Sequence, residues 1–331
     1  MTRLDLATIK RRSFLGLLAA AAVVCLGLGL GLAVRAEEAA PAAKPVLSFG
    51  VVTDVQYADI DQQAKRQYRE SLIKLEQAVT QFNKLKPEFV IHLGDLINEN
   101  YASYDAVLPI FEKFSMPHYF VLGNHDVAVK VESKAKILAR LGLGKLGPGK
   151  GYYDFARAGW RFVVLNGNDI SIVANAVGSE ERKAAETLVA DLKKKGAKNT
   201  GIHNGAVGPQ QLAWLKETLT KADAAGERAI VFCHFPVYPP AGSSLWNDTE
   251  IIGILEAHKC VAAYFDGHVH GGGYGQKGSV HYVTFKGMIE ADPTAYALVE
   301  VFADSLKVTG FGTEKSRELK FDAAAPVPAA R

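Results

Sequence analysis

Five times along this chain an apolar, strand-like run ends in a short polar segment rich in metal-ligand side chains. The segments are Asp54-Val55-Gln56, Gly94-Asp95, Gly123-Asn124-His125-Asp126, His234, and Gly267-His268-Val269-His270. In open α/β sheets, ligands collect outside the carboxyl ends of strands, so the five are expected to converge on one edge. Setting Asp126 aside, they supply two Asp, one Gln, one Asn and four His. That is a ligand set for two borderline-hard divalent ions such as Mn, Fe, Co or Zn. Each segment alone has an ordinary explanation: an Asp after a strand is usually a turn or cap residue, and a single His is often core. Their order is harder to dismiss, with 41, 29, 110 and 34 positions separating Asp54, Asp95, Asn124, His234 and His268.

The intervening sequence supports that placement. Runs at 46–53, 89–93, 118–122, 229–235 and 261–266 read as strands, and 64–85, 104–114, 209–219 and 248–258 as helices. In the first helix Leu72, Leu75, Val79 and Phe82 share one face. Another helix is expected from Ser179, with Glu180 and Glu181 in its first turn and lysines 193–195 in its last, as the helix dipole favours. A βαβα series with strand-rich segments in the second half predicts an α/β fold: two sheets packed as a sandwich and flanked by helices. No internal repeat is visible.

The N-terminus changes the bulk charge. Lys10-Arg11-Arg12-Ser13-Phe14-Leu15 has the layout of a twin-arginine export signal, and the 21 residues 14–34 are uncharged. Val34-Arg35-Ala36 offers a cleavage point; the alternative is a permanent membrane anchor, since the stretch is just long enough to span. Removing 1–36 leaves 33 basic and 34 acidic residues, so no global basic field argues for nucleic acid or, after cleavage, for membrane association. The expected partner of this N-terminus is the export machinery. Cys233 and Cys260, each in an apolar run, make no disulfide framework, which fits folding in a reducing cytosol before export. The expected organisation is a signal at 1–36, a linker at 37–45, one domain at 46–315 and a tail at 316–331.

The ordered segments resemble the calcineurin-like metallophosphoesterase superfamily, whose pattern reads Asp-x-His, Gly-Asp-x-x-Asp/Asn, Gly-Asn-His-Asp/Glu, a lone His, and Gly-His-x-His. Gln56 departs from it, standing where most members have His. Phe49-Gly50-Val51-Val52-Thr53-Asp54-Val55-Gln56-Tyr57-Ala58-Asp59 is similar to the start of the manganese-dependent ADP-ribose/CDP-alcohol diphosphatases, which carry Gln there. Tyr68-Arg69-Glu70-Ser71-Leu72, Gln211-Leu212-Ala213-Trp214-Leu215, His234-Phe235-Pro236-Val237-Tyr238-Pro239, His258-Lys259-Cys260-Val261 and Gly287-Met288-Ile289-Glu290 also resemble that family. So does Gly271-Gly272-Gly273-Tyr274, and the likeness runs from Leu47 to Gly312.

The resemblance implies a four-layer αββα fold and two metal ions, with Mn²⁺ preferred and Fe, Co or Zn as alternatives. It implies one metal held by Asp54, Gln56 and His270, a second by Asn124, His234 and His268, and Asp95 between them. A hydroxide activated by the pair would attack phosphorus. His125 would then face the leaving-group oxygen, Asp126 would orient that imidazole, and Arg66 would meet a second phosphate. The implied substrate is the pyrophosphate of a nucleoside diphosphate derivative such as ADP-ribose or a CDP-alcohol. A broader extracytoplasmic phosphomonoesterase or phosphodiesterase, and a non-catalytic binding protein, are the alternatives.

Overall fold

A computed structural model describes residues 44–321, which lie within one compact unit. The expected signal and all but the last two positions of the expected linker fall outside them. In chain order the elements begin with β1 (Leu47–Val52), α1 (Ser71–Leu85), β2 (Phe89–His92), α2 (Tyr104–Phe111), β3 (His118–Phe120) and α3 (Asn124–Val127). Two further turns, α4 (Val131–Lys134) and α5 (Ile137–Arg140), lead to the hairpin β4 (Tyr153–Arg157) and β5 (Trp160–Val164). Then come β6 (Ile170–Ser171), α6 (Glu180–Lys194), β7 (Gly205–Ala206), α7 (Pro209–Ala225), β8 (Arg228–Phe232), α8 (Asp248–Ala257) and β9 (Val261–Asp266). The chain closes with β10 (Gly273–Lys277), β11 (Val280–Thr284), β12 (Ala295–Val301), β13 (Ser305–Gly312) and β14 (Arg317–Lys320).

Two six-stranded mixed sheets result, ordered β14-β13-β12-β1-β2-β3 and β10-β11-β9-β8-β5-β4, with β6 and β7 as a small separate pair. The expected two-sheet sandwich is therefore present. Strand alternation explains the layering. Phe162 on β5, Phe232 on β8 and Phe265 on β9 meet Phe49 of the other sheet, with ring centroids 5.7, 5.9 and 6.4 Å away. The intervening Val163, Val231 and Tyr264 turn to the opposite face and are covered by Leu215 and Leu219 of α7 and Ile251 and Leu255 of α8. On the far side, Leu75, Ala78, Val79 and Phe82 of α1 join the core of the first sheet. Burying one such side chain contributes roughly 1.5–3 kcal/mol, so the double layer of apolar contacts fixes the strand ends rigidly.

Several boundaries differ from the sequence reading. The helix expected over 64–85 starts only at Ser71, because 63–70 form a turn: Gln63 and Arg66 exchange backbone hydrogen bonds and Ala64 takes a left-handed φ of 52°. The apolar stripe begins at Leu72, and nothing before it requires a helix. Pro209–Ala225 runs six residues past the expected end, stopping where Gly226 adopts φ 68°. The hairpin β4–β5 is an addition to the elements expected from the sequence. The domain also reaches beyond 315, since Arg317–Lys320 pairs with β13 from Val308 to Ser305. The expected tail thus begins too early, and 322–331 lie outside the described residues. Both cysteines among the described residues are free and buried, and no described helix is long and apolar enough to cross a membrane.

Candidate metal centre

Every polar segment singled out in the sequence lies at a strand's carboxyl end. β1 leads into Asp54 and Gln56, β2 into Asp95, β3 into Asn124 and His125, β8 into His234, and β9 into His268 and His270. These strands run parallel within their sheets: β1 with β2, β2 with β3, β8 with β9. Their carboxyl ends therefore face the same way, and the sandwich brings both sets of loops together.

The contacts follow. Asp95 sits at the middle, its Oδ1 accepting from the backbone N–H of His125 at 2.8 Å and its Oδ2 from Gln56 Nε2 at 3.0 Å. His234 Nε2 lies 3.2 Å from the same Oδ2 and 3.1 Å from Asn124 Oδ1. The other ring nitrogen, Nδ1, donates to the Leu93 carbonyl at 2.9 Å, which leaves Nε2 to face the centre. On the opposite side His270 Nε2 is 3.4 Å from Asp54 Oδ1 and 3.3 Å from Gln56 Nε2. The His268 backbone N–H donates to Asp54 Oδ2 at 3.1 Å, as does the Thr53 hydroxyl at 2.7 Å. Ligand atoms of Asp95, His234 and His268 all fall within 4.8 Å of one another. Asp54, Gln56 and His270 thus form one group of contacts, and Asn124 and His268 lie with His234 in another, with Gln56 and His234 both reaching Asp95 Oδ2.

The backbone is strained to achieve this. Asp54, Gln56, Asp95 and His268 all have positive φ, at 50°, 42°, 57° and 64°. Such conformations cost on the order of 1–3 kcal/mol each and cluster at functional sites. Close approach also needs glycine: a Cβ on Gly123 would stand 2.1 Å from Asp95 Oδ1 and 2.2 Å from its backbone nitrogen.

The residues fit cations. Asp54 Oδ1 and Gln56 Oε1 are buried without a hydrogen-bond partner. A bare buried acceptor costs about 1–3 kcal/mol, which coordination to a cation would remove. Burial holds His268 neutral, with its pKa lowered to about 3, the form that can ligate. Burial also pushes His234 down, but Asp95 beside it prevails and raises its pKa to about 9. That proton must leave before His234 can bind a metal.

One expected role changes, and one expected site residue sits on a different element. Asp126 does not orient His125. Its Oδ2 accepts from the backbone N–H groups of Asp95 and Gly123, both at 2.9 Å. Its Oδ1 accepts from Leu96 N at 3.0 Å, Ile97 N at 3.4 Å and the Tyr104 hydroxyl at 3.2 Å. Asp126 is thus the buried clamp that shapes the loop carrying Asp95. Arg66 lies in the turn before α1, its Nε 3.4 Å from Glu290 Oε1. Glu290 in turn meets His270 Nδ1 at 2.8 Å, so Arg66 stands at the rim of the centre and is linked to His270 through one carboxylate. Sequence reasoning assigned no role to Glu290, although it lies in a matched stretch, nor to Glu99, whose Oε1 is 3.3 Å from His125 Nδ1.

The model of one family, described as calcineurin-like phosphoesterase, matches residues 47–272. The chain belongs to this family and is a metal-dependent hydrolase of phosphoric esters or anhydrides. It is similar to the manganese-dependent ADP-ribose/CDP-alcohol diphosphatase of Oryza sativa subsp. japonica, with 32% identity over 310 residues, 84% of this chain and 95% of that one. The protein of that name from Mus musculus is 29% identical over 324 residues, 85% and 95% of the two chains. A dimetal phosphatase from Danio rerio has a similar structure, with TM-score 0.77 and 27% identity over 84% of this chain and 100% of that one.

Proposed function

We propose that the protein hydrolyses the pyrophosphate of nucleoside diphosphate derivatives such as ADP-ribose or CDP-alcohols, using two divalent ions with Mn²⁺ preferred. The observation that carries this reading is Gln56. A neutral amide lies buried between Asp95 and His270, where most of the superfamily has an imidazole, and the curated relatives bear the name of that activity. An amide oxygen is a harder, weaker ligand than imidazole and favours Mn²⁺ over later first-row metals.

In this reading Asp54, Gln56 and His270 would hold one ion, Asn124, His234 and His268 the other, and Asp95 would serve both. Two ions bound there would supply an activated water and neutralise charge on the phosphoryl oxygens. The chain's own side chains do the rest. Glu290 fixes the His270 ring through Nδ1, as carboxylates behind ligating histidines do. His125 is only 15% exposed, and its Nε2 points inward, 4.0 Å from Asp95 Oδ2. Burial opposes protonation there, but Asp95 and Glu99 raise its pKa above the ordinary value, so the ring can carry a proton to the leaving oxygen. Arg66 offers a guanidinium to the second phosphate from the rim.

A panel of ADP-ribose, CDP-choline, a cyclic nucleotide and p-nitrophenyl phosphate, each with Mn²⁺, Mg²⁺ and Zn²⁺, tests the proposal. The expected result is the highest kcat/KM on ADP-ribose or CDP-choline with Mn²⁺, giving two phosphomonoesters. A preference for p-nitrophenyl phosphate or the cyclic nucleotide would establish the broad phosphoesterase instead. Gln56→His probes the same point from the protein. Imidazole binds Zn²⁺, Fe²⁺ or Co²⁺ more tightly, so activity at micromolar Mn²⁺ should change far more than activity at saturating Mn²⁺. Superimposable Mn²⁺ titrations of the two proteins would remove Gln56 from the ligand set.

Export by the twin-arginine route is part of the proposal, because folding in the cytosol lets the cell load the metals first. Replacing Arg11 and Arg12 with lysines is expected to retain the protein in the cytosol, since the pair is read as an address that charge alone does not satisfy. Fractionation that still finds the variant outside would assign the general secretory route.

A further inference from the structure

We propose that Glu99 is the positioning residue for His125, holding its Nδ1–H so that Nε2 faces the leaving-group oxygen. The inference rests on the hydrolytic reading above and adds a residue to it. His125 Nδ1 is 3.3 Å from Glu99 Oε1, while Nε2 lies on the opposite side of the ring toward Asp95. The Nδ1 contact is at ion-pair distance without the alignment of a hydrogen bond, and this buried nitrogen has no other partner among the described residues. Contacts of catalytic groups are commonly loose until substrate arrives.

The neighbouring carboxylates are committed elsewhere. Asp126 is occupied by four backbone N–H groups and a tyrosine hydroxyl. Asp95 accepts from the His125 backbone and from Gln56 and belongs to the metal centre. Glu99 alone, among the described residues, offers a carboxylate to Nδ1.

Its backbone is bent to make that offer. Glu99 has φ 61°, a left-handed conformation that costs a glutamate roughly 1–2 kcal/mol. The flanking residues hold it: the Asn98 backbone N–H donates to the Tyr57 carbonyl at 3.0 Å, and Asn100 Oδ1 accepts from Ala102 N at 3.2 Å. The side chain is 46% exposed, so it bridges the buried imidazole and solvent. After Nε2 gives its proton to the departing oxygen, the neutral ring keeps the proton on Nδ1 facing Glu99. Water then restores the proton at Nε2, and no other co-reactant is needed.

The test is a double-mutant cycle between Glu99→Gln and His125→Ala in the Mn²⁺-loaded enzyme, read with a poor and an activated leaving group. Glu99→Gln is expected to lower kcat roughly 10–100-fold on the poor leaving group, the range usual for losing an outer carboxylate. KM and metal content should hold, and p-nitrophenyl phosphate turnover should change by about twofold or less, because its leaving group needs little proton assistance. In the His125→Ala background Glu99→Gln should add nothing. An equal loss in both backgrounds, or on both leaving groups, would overturn the role and make Glu99 a structural or substrate contact. Failure of the hydrolytic reading itself would appear separately, as a wild-type enzyme without metal-dependent turnover.

Discussion

Asp95→Asn is expected to lower turnover by several orders of magnitude and to weaken the binding of both metals, with the fold left intact. The substitution is nearly isosteric, and the loop it sits in is held by Asp126 rather than by the Asp95 side chain. What changes is charge. Burial works against the Asp95 carboxylate, yet His234 and His125 hold it ionised, well below the usual carboxylate range. An amide removes the anion at the middle of the donor set, and it turns a donor toward either the His125 N–H or the Gln56 amide. Metal content by inductively coupled plasma analysis, paired with kcat, checks the outcome. Two ions retained with near-normal turnover would mean the centre lies elsewhere.

His125→Ala has the second largest expected effect. It should leave the metals in place, since the side chain is outside the proposed ligand set, and lower kcat roughly 10²–10⁴-fold on poor leaving groups. The loss should be much smaller for p-nitrophenolate. Its backbone N–H still donates to Asp95 Oδ1 in the variant, so the geometry of the centre does not depend on the ring. Equal losses for good and poor leaving groups would instead indicate stabilisation of phosphoryl charge, and lost metal would make His125 a ligand. Steady-state kinetics over a series of aryl phosphates distinguishes the three.

The loops that carry the candidate ligands were legible because each follows an apolar run whose burial is forced by composition. Val51-Val52, Val90-Ile91 and Val231-Phe232 could only be core strands, and the residue after such a strand emerges at the sheet's edge. What failed was reasoning from adjacency in sequence. His125 and Asp126 are neighbours, but on a helical turn successive side chains point about 100° apart. One therefore faces the centre and the other turns under the Asp95 loop. The capping pattern was the available clue: an acid three residues after Gly123, at the start of a helix, accepts that residue's N–H.

Glu99 and Glu290 carried no such signal, because each is a partly exposed acid whose partner lies 20 or more positions away along the chain. Ala64-Lys65-Arg66-Gln67 is a run of good helix formers, so propensity alone extends the first helix back over Arg66. The turn that actually carries it depends on a left-handed Ala64, which no side-chain pattern announces. β14 was lost for a similar reason: Arg317–Lys320 has a single apolar side chain, Leu319, and becomes a strand only by pairing with β13.

One centre is expected to bind two ions with Asp95 between them. Anomalous diffraction from crystals soaked in Mn²⁺, recorded at the manganese edge, would locate them. Two peaks per chain are expected, one against Asp54, Gln56 and His270 and one against Asn124, His234 and His268, both touching Asp95. A single peak, or a pair that leaves Asp95 or Gln56 uncoordinated, would contradict it.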